Sequence, residues 1–118
     1  MDRVKAIIYE LKKFSDLRED WVILVEGKRD VKALKKLGIE NVVEMKGQNY
    51  HTIAEKLSES KKGVVLLMDF DEHGERIFQK LQKILPTYGL KTDTYFRERL
   101  KETGIKYIEE LDRWILQT

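Results

Sequence analysis

Cysteine is absent from this chain of 118 residues, which excludes disulfide scaffolds, thiolate zinc sites and thiol nucleophiles together. Histidine occurs only twice, as His51 and His73, too few and too scattered for a histidine-based metal centre. With one proline and seven glycines, no linker or low-complexity tract appears. No apolar run approaches the roughly 20 residues that span a bilayer, and the N-terminus lacks a signal peptide's apolar segment, so a cytoplasmic protein is expected. An excess of one charge is missing too: 23 Lys plus Arg stand against 21 Asp plus Glu, a net charge of +2. That balance excludes a histone-like binder but not a local basic groove. Any metal must be held by oxygen ligands. The length allows one domain with one core, and a hydrophobic fraction of 42% argues against disorder.

What is present is a series of short periodic runs. Arg3 to Phe14 carries Val4, Ile7, Ile8, Leu11 and Phe14 at helical spacing, which predicts an amphipathic helix ended by a Ser15-Asp16 turn. Trp21 to Val25 is a continuous apolar run of the kind that forms a strand buried on both faces. A helix over Asp30 to Leu37 follows, capped by Gly38. The unit repeats: a strand at Asn41 to Glu44, a loop at Lys46 to Asn49 and a helix from Tyr50 to Ser58. Next come an apolar strand from Val64 to Met68 and a helix from Gly74 to Leu85, stopped by Pro86. A shorter fourth strand is expected within Leu90 to Tyr95, and helix thereafter through Leu116. Alternating strands and helices predict βαβ crossovers, a mostly parallel four-stranded sheet flanked by helices, and a single α/β domain.

In open α/β sheets ligands bind at the carboxyl ends of the strands. The two most apolar strands both end in acids: Glu26 follows Val25, and Asp69 and Asp71 follow Met68. Three hard oxygen donors at neighbouring strand ends suit Mg2+, which takes one or two carboxylates plus water and phosphate. Gly27 and Gly74 beside these acids allow a backbone or phosphate to come close. A helix N-cap is the competing reading for Asp71, and Asp30 is expected to cap or orient its helix. Glu26-Gly27-Lys28-Arg29-Asp30 is no Walker loop, and the dinucleotide fingerprint is missing. A phosphoacceptor receiver domain places its paired acids after the first strand, the reverse of the order found.

Val25-Glu26-Gly27-Lys28-Arg29-Asp30 resembles the Glu-Gly motif of Toprim domains, and Met68-Asp69-Phe70-Asp71-Glu72-His73-Gly74-Glu75 resembles their Asp-x-Asp motif. Both motifs lie at strand ends in family order, within a match spanning about Trp21 to Leu90. The chain is similar to the small stand-alone Toprim proteins of archaea and bacteria, with the ribonuclease that matures 5S ribosomal RNA as a near relation. The resemblance implies a Toprim-like (Rossmann-like) fold and one or two Mg2+ ions, with Mn2+ able to substitute. It implies Glu26 as catalytic general acid/base and metal ligand, Asp69 and Asp71 as metal ligands, and Glu75 as a further acid. Residues 1–20 are expected to pack as a helix on a Toprim core of residues 21–95, followed by a helical extension at 96–118.

Nucleic-acid or phosphate contacts are expected at Gly27, Lys28, Lys46, Arg76 and Arg97, with a solvated helix-start lysine the competing reading for Lys28 and an ordinary polar turn for Lys46 to Asn49. Arg97 and Arg99 frame a basic, aromatic cluster that suits phosphate and base contact, or equally a helix face of alternating charge. Trp21 and Trp114 are expected in packing, and His73 at the surface. The function this implies is a Mg2+-dependent protein acting on nucleic-acid phosphodiesters, a nuclease or RNA/DNA-processing factor. The alternative is a non-catalytic, metal-dependent nucleic-acid-binding module within a larger complex. RNA or DNA is the expected partner, with protein partners or a homo-oligomer alongside and no membrane.

Overall fold

The structure, a computed structural model, describes residues 2–117, with side chains described as far as Trp114. Helix α1 (Arg3–Leu17) starts at Asp2, whose carboxylate accepts from the Val4 and Lys5 N–H groups, and it buries Val4, Ile7, Ile8 and Leu11. It runs through the expected Ser15-Asp16 turn, because Ser15 lies on the buried face and Asp16 pairs with Lys12 one turn back at 2.9 Å. Strand β1 (Trp21–Val25) leads to α2 (Lys28–Lys36), β2 (Val42–Glu44), α3 (Tyr50–Ser58) and β3 (Gly63–Leu66). Helix α4 (Glu72–Ile84) continues into a 3-10 turn at Leu85–Tyr88, then β4 (Lys91–Asp93), α5 (Tyr95–Lys101) and a 3-10 helix at Ile108–Gln117. Helices α2 and α4 begin two residues earlier than expected, and the third and fourth strands are shorter.

The four strands are all parallel, in the order β2-β1-β3-β4. Alternation along the strands divides the interior into two layers. On one face Ile23, Val25, Val65 and Leu67 pack with α1, α2, α5 and the last 3-10 helix. On the other Val22, Leu24, Val64, Leu66 and Met68 pack with α3 and α4. The residues after 95 therefore contribute core: Phe96, Leu100, Ile108 and Leu111 are all buried. Trp21 meets Phe14 edge-on at 5.5 Å, and Trp114 packs on the same layer while its Nε1 donates to Asp2. Among the described residues no helix is long and apolar enough to cross a membrane.

Gly63 shows how tightly β1 and β3 fit. It pairs with Trp21, and a Cβ placed on it would lie 2.3 Å from the indole. Gly63→Ala is therefore expected to destabilise the fold by about 1–3 kcal/mol in chemical denaturation. Trp21→Leu in the same chain should recover part of that loss, and strictly additive effects would contradict the contact.

Candidate metal centre

The chain leaves β1 toward β2 on one side, whereas β3 and β4 lie on the other. The crossovers thus diverge between β1 and β3, which opens a crevice at their carboxyl ends. Glu26 and Asp69 stand on its two sides and are linked: the Asp69 N–H donates to Glu26 Oε2 at 2.8 Å. Asp69 is further fixed by the Ile108 N–H, which donates to its Oδ1 at 2.8 Å, while the Phe70 N–H donates to the Lys106 carbonyl at 2.9 Å. Asp71 caps α4 through a 2.7 Å bond from the Gly74 N–H to its Oδ1. Asp30, buried in the first turn of α2, accepts the Gly27 N–H at 3.2 Å. Capping thus describes both Asp71 and Asp30.

Glu26, Asp69 and Asp71 each place one carboxylate oxygen on a backbone N–H and leave the other without a hydrogen bond among the described residues. Glu26 Oε1 lies 4.0 Å from Nε2 of the exposed His73. Burial, together with the charges of Asp30, Glu26 and Asp71, outweighs the Ile108 bond and pushes Asp69 up to about 7. Burial likewise raises Asp30 to about 6, helped by Glu26 and Glu109. Glu109 escaped the sequence reading. It lines a groove of about 430 Å3 with Glu26, Gly27, Lys28, Asp30 and Asp69. Nothing local in its sequence announces this, because it depends on the long-range bond between Ile108 and Asp69.

The expected contact at Arg97 is corrected. Its side chain is 0% exposed and faces inward, so it offers no surface to a nucleic acid. Its Nε donates to the Met68 carbonyl at 3.0 Å and its Nη2 to the Asp69 carbonyl at 2.7 Å, while Nη2 also lies 3.0 Å from Glu75. The guanidinium carbon sits 4.1 Å from the Phe78 ring centre and 4.9 Å from that of Phe70. Nη1 is buried with no hydrogen-bond partner among the described residues, and the flanking aromatic faces are its compensation. Burial works to raise Glu75, but hydrogen bonds from Arg97 and Gln79 hold it below its ordinary value. Arg99 instead pairs with Glu10 at 2.7 Å, part of a helix face of alternating charge.

Gly74 serves a backbone approach: a Cβ there would meet the Asp69 carbonyl oxygen at 2.2 Å. Gly27 is extended and has open space around the Cβ position, so the fold itself does not demand glycine there. Lys28, Lys46 and Arg76 are all exposed; Lys28 lines the acidic groove, whereas Lys46 lies 3.7 Å from Glu44 and lines a separate groove beside β2.

Among the described residues, no three His, Asp or Glu side chains converge as a ready-made ligand group. The donor set still fits a hard cation. It is all oxygen, it carries surplus negative charge, and Mg2+ uses one or two carboxylates and keeps several waters rather than filling a closed protein cage.

A parallel α/β sheet with a Glu at one strand end joined to an Asp-x-Asp turn at the next defines the Toprim class. The chain belongs to the Toprim domain family, whose pattern it matches over residues 20–106. This places it among nucleic-acid-related, metal-dependent domains. It is similar to UPF0292 proteins of Methanosarcina barkeri (33% identity, covering 95% of this chain and 78% of that one) and Pyrococcus abyssi (37%, 91% and 80%). A solved structure of a protein from Aquifex aeolicus superposes with a TM-score of 0.82 at 44% identity, covering 90% of this chain and 95% of the other. The zinc-binding and RNA polymerase domains of the Aquifex aeolicus primase superpose with a TM-score of 0.57 at 29% identity, covering 94% of this chain and 28% of that one.

Because Asp69 and Asp30 bind protons more tightly folded than unfolded, their contribution favours the folded state at low pH and is lost as pH rises through about 6 to 7. Without divalent cations, Asp69→Asn, which keeps the acceptor for Ile108, should raise the melting temperature at pH 8 by about 4 °C, roughly 1 kcal/mol in a small domain. It should also flatten the dependence on pH between 5 and 8. An unchanged pH profile would contradict the origin assigned to the Asp69 shift.

Proposed function

We propose that this chain is a Mg2+-dependent protein acting on nucleic-acid phosphodiesters, as a nuclease or an RNA- or DNA-processing factor. The observation that carries the reading is the bond of Asp69 N–H to Glu26 Oε2 at 2.8 Å, which joins two strand ends where negative charge exceeds its compensation. Glu26, Asp69 and Asp71 would hold the ion through the oxygens their backbone bonds leave over. Bound Mg2+ offsets charge on the non-bridging phosphate oxygens and orients the attacking and leaving groups. Where Oε1, the oxygen not engaged by Asp69, is not taken by the ion, it is the atom of Glu26 that would hold or move a proton. Gly27 leaves open space beside these acids, Lys28 lines their groove from the start of α2, and Arg76 is exposed on α4; these residues would contact phosphates. Lys46, in the turn after β2, would be a further phosphate contact. Glu75 acts at one remove, as the carboxylate partner of Arg97 behind Asp69.

A second reading, a metal-dependent nucleic-acid-binding module within a larger complex, is favoured by the lack of a converged three-ligand group among the described residues. End-labelled RNA and DNA panels with Mg2+ or chelator separate the two. Metal-dependent cleavage that falls by about 100-fold or more in both Glu26→Gln and Asp69→Asn is expected. Cleavage persisting in both variants overturns the mechanism, and salt-sensitive binding without turnover selects the binding module.

A further inference from the structure

A second cleft adjoins the acids on the α3 and α4 side of the sheet. It encloses about 370 Å3 and is lined by Glu26, Met45, Gln48, Asn49, Tyr50 and His73, with Ile77 behind. Glu26 is the wall it shares with the acidic groove, so a phosphate held at the carboxylates has this cleft directly beside it. The lining is of two kinds. Met45 and Ile77 are buried apolar residues and Tyr50 presents a half-buried aromatic ring, whereas Gln48 and Asn49 are amides on the rim.

Both amides have their acceptor ends committed. Gln48 Oε1 accepts from Lys56 Nζ at 3.3 Å, and Asn49 Oδ1 accepts the His51 N–H at 2.8 Å as the cap of α3. Their NH2 groups have no hydrogen-bond partner among the described residues, which leaves donors on two residues of the lining. The turn that carries them is also unusual. Lys46 and Gly47 are both left-handed, with φ of 54° and 67°, and the Gln48 N–H closes onto the Met45 carbonyl at 2.9 Å. Such a turn favours Asn-Gly, and a lysine at its first left-handed position is disfavoured. Backbone strain of this kind persists where the surroundings over-determine it, often beside a ligand.

Resting on the function proposed above, we propose that this cleft is a nucleoside subsite, which takes the base and sugar next to the phosphate held at Glu26 and Asp69. A nucleobase needs apolar contact for its faces and polar partners for its edge, which is the division of the lining. The volume lies at the small end of the roughly 300–1,000 Å3 found for ligand clefts, enough for one nucleoside and not for a longer segment. The free amide donors favour a base edge carrying carbonyl acceptors, such as that of uracil.

The test is a titration of the 15N-labelled full chain with uridine 5′-monophosphate or ribose 5-phosphate, each in the presence of Mg2+. The nucleotide should bind about tenfold more tightly, the scale of one base stacking on an aromatic side chain. Its shifts should centre on the amides of Gln48, Asn49 and Tyr50. Tyr50→Ala and the bulk-preserving Tyr50→Leu should bring the nucleotide down to the affinity of ribose 5-phosphate and leave the latter unchanged. Gln48→Ala should weaken the nucleotide about threefold. Equal binding of the two probes by the unaltered chain, or equal loss of both in the Tyr50 variants, overturns the subsite while leaving the phosphate site standing. Absence of binding by either probe, together with absence of Mg2+-induced shifts at Glu26 and Asp69, overturns the functional reading and the subsite with it.

Discussion

Gathering carboxylates of like charge at one edge of a sheet, partly out of water, is the physical burden around which this domain is arranged. Four acids meet it in the same way, each accepting a backbone N–H: Glu26 from Asp69, Asp69 from Ile108, Asp71 from Gly74 and Asp30 from Gly27. The Gly74 N–H lies in the first turn of α4, where amides have no intrahelical acceptor, so the acid satisfies the helix while the helix fixes the acid. The Gly27 bond to Asp30 is likewise local to the start of α2, whereas the bonds to Glu26 and Asp69 tie separate pieces of chain together, β1 to the turn after β3 and that turn to the start of the last 3-10 helix. Stability at this edge and readiness for a cation thus share one cause. The bonds orient the carboxylates without neutralising them, and burial, added to by the neighbouring acids, raises Asp69.

Arg97 is the counterweight behind this edge. Its donors go to the carbonyls of Met68 and Asp69 and to Glu75, so it holds the backbone of the Asp-x-Asp turn and leaves the carboxylates facing the crevice free. A buried guanidinium is costly unless paired and hydrogen-bonded, and this one combines an ion pair, two carbonyls and two aromatic faces. The close approach of Gly74 to the Asp69 carbonyl belongs to the same construction. A turn gripped by an arginine from one side and packed by a helix start from the other has little freedom to misplace Asp69.

The sheet and its acids were legible because their signals are local. A continuous apolar run ending in an acid reads the same in sequence and in space, and Glu26, Asp69 and Asp71 fall at or near the strand ends for that reason. Two such ends in family order then locate the crevice. Arg97 was misread because its neighbours Arg99, Tyr95 and Glu98 are those of a surface helix. Only its sharing of the buried face with Phe96 and Leu100 hints at an interior role. Glu109 was invisible, since its place follows from a hydrogen bond between residues 39 positions apart. The end of α1 was misjudged because Ser15 and Asp16 read as a stop, whereas a tertiary contact and an ion pair carry the helix on.

The nearly even charge count conceals an uneven distribution of charge over the surface. Helix α2 opens with Lys28 and Arg29, where the helix dipole is already positive and cations are unfavourable. Stability alone would place acids there, as α4 does with Glu72 and Glu75 in its first turn. Lys28, Arg29 and Lys32 make no ion pair among the described residues, in contrast to Lys12 and Arg99 on α1 and α5, which do. Lys28 and Arg29, set against the dipole, exposed and unpaired, line one groove together with the carboxylates of Glu26, Asp30, Asp69 and Glu109. A bare phosphate would be repelled by the acids, and a bare metal ion by the lysines. Under the function proposed above, a metal ion and a phosphate arriving together would satisfy both kinds of charge, and binding of the two would then be coupled.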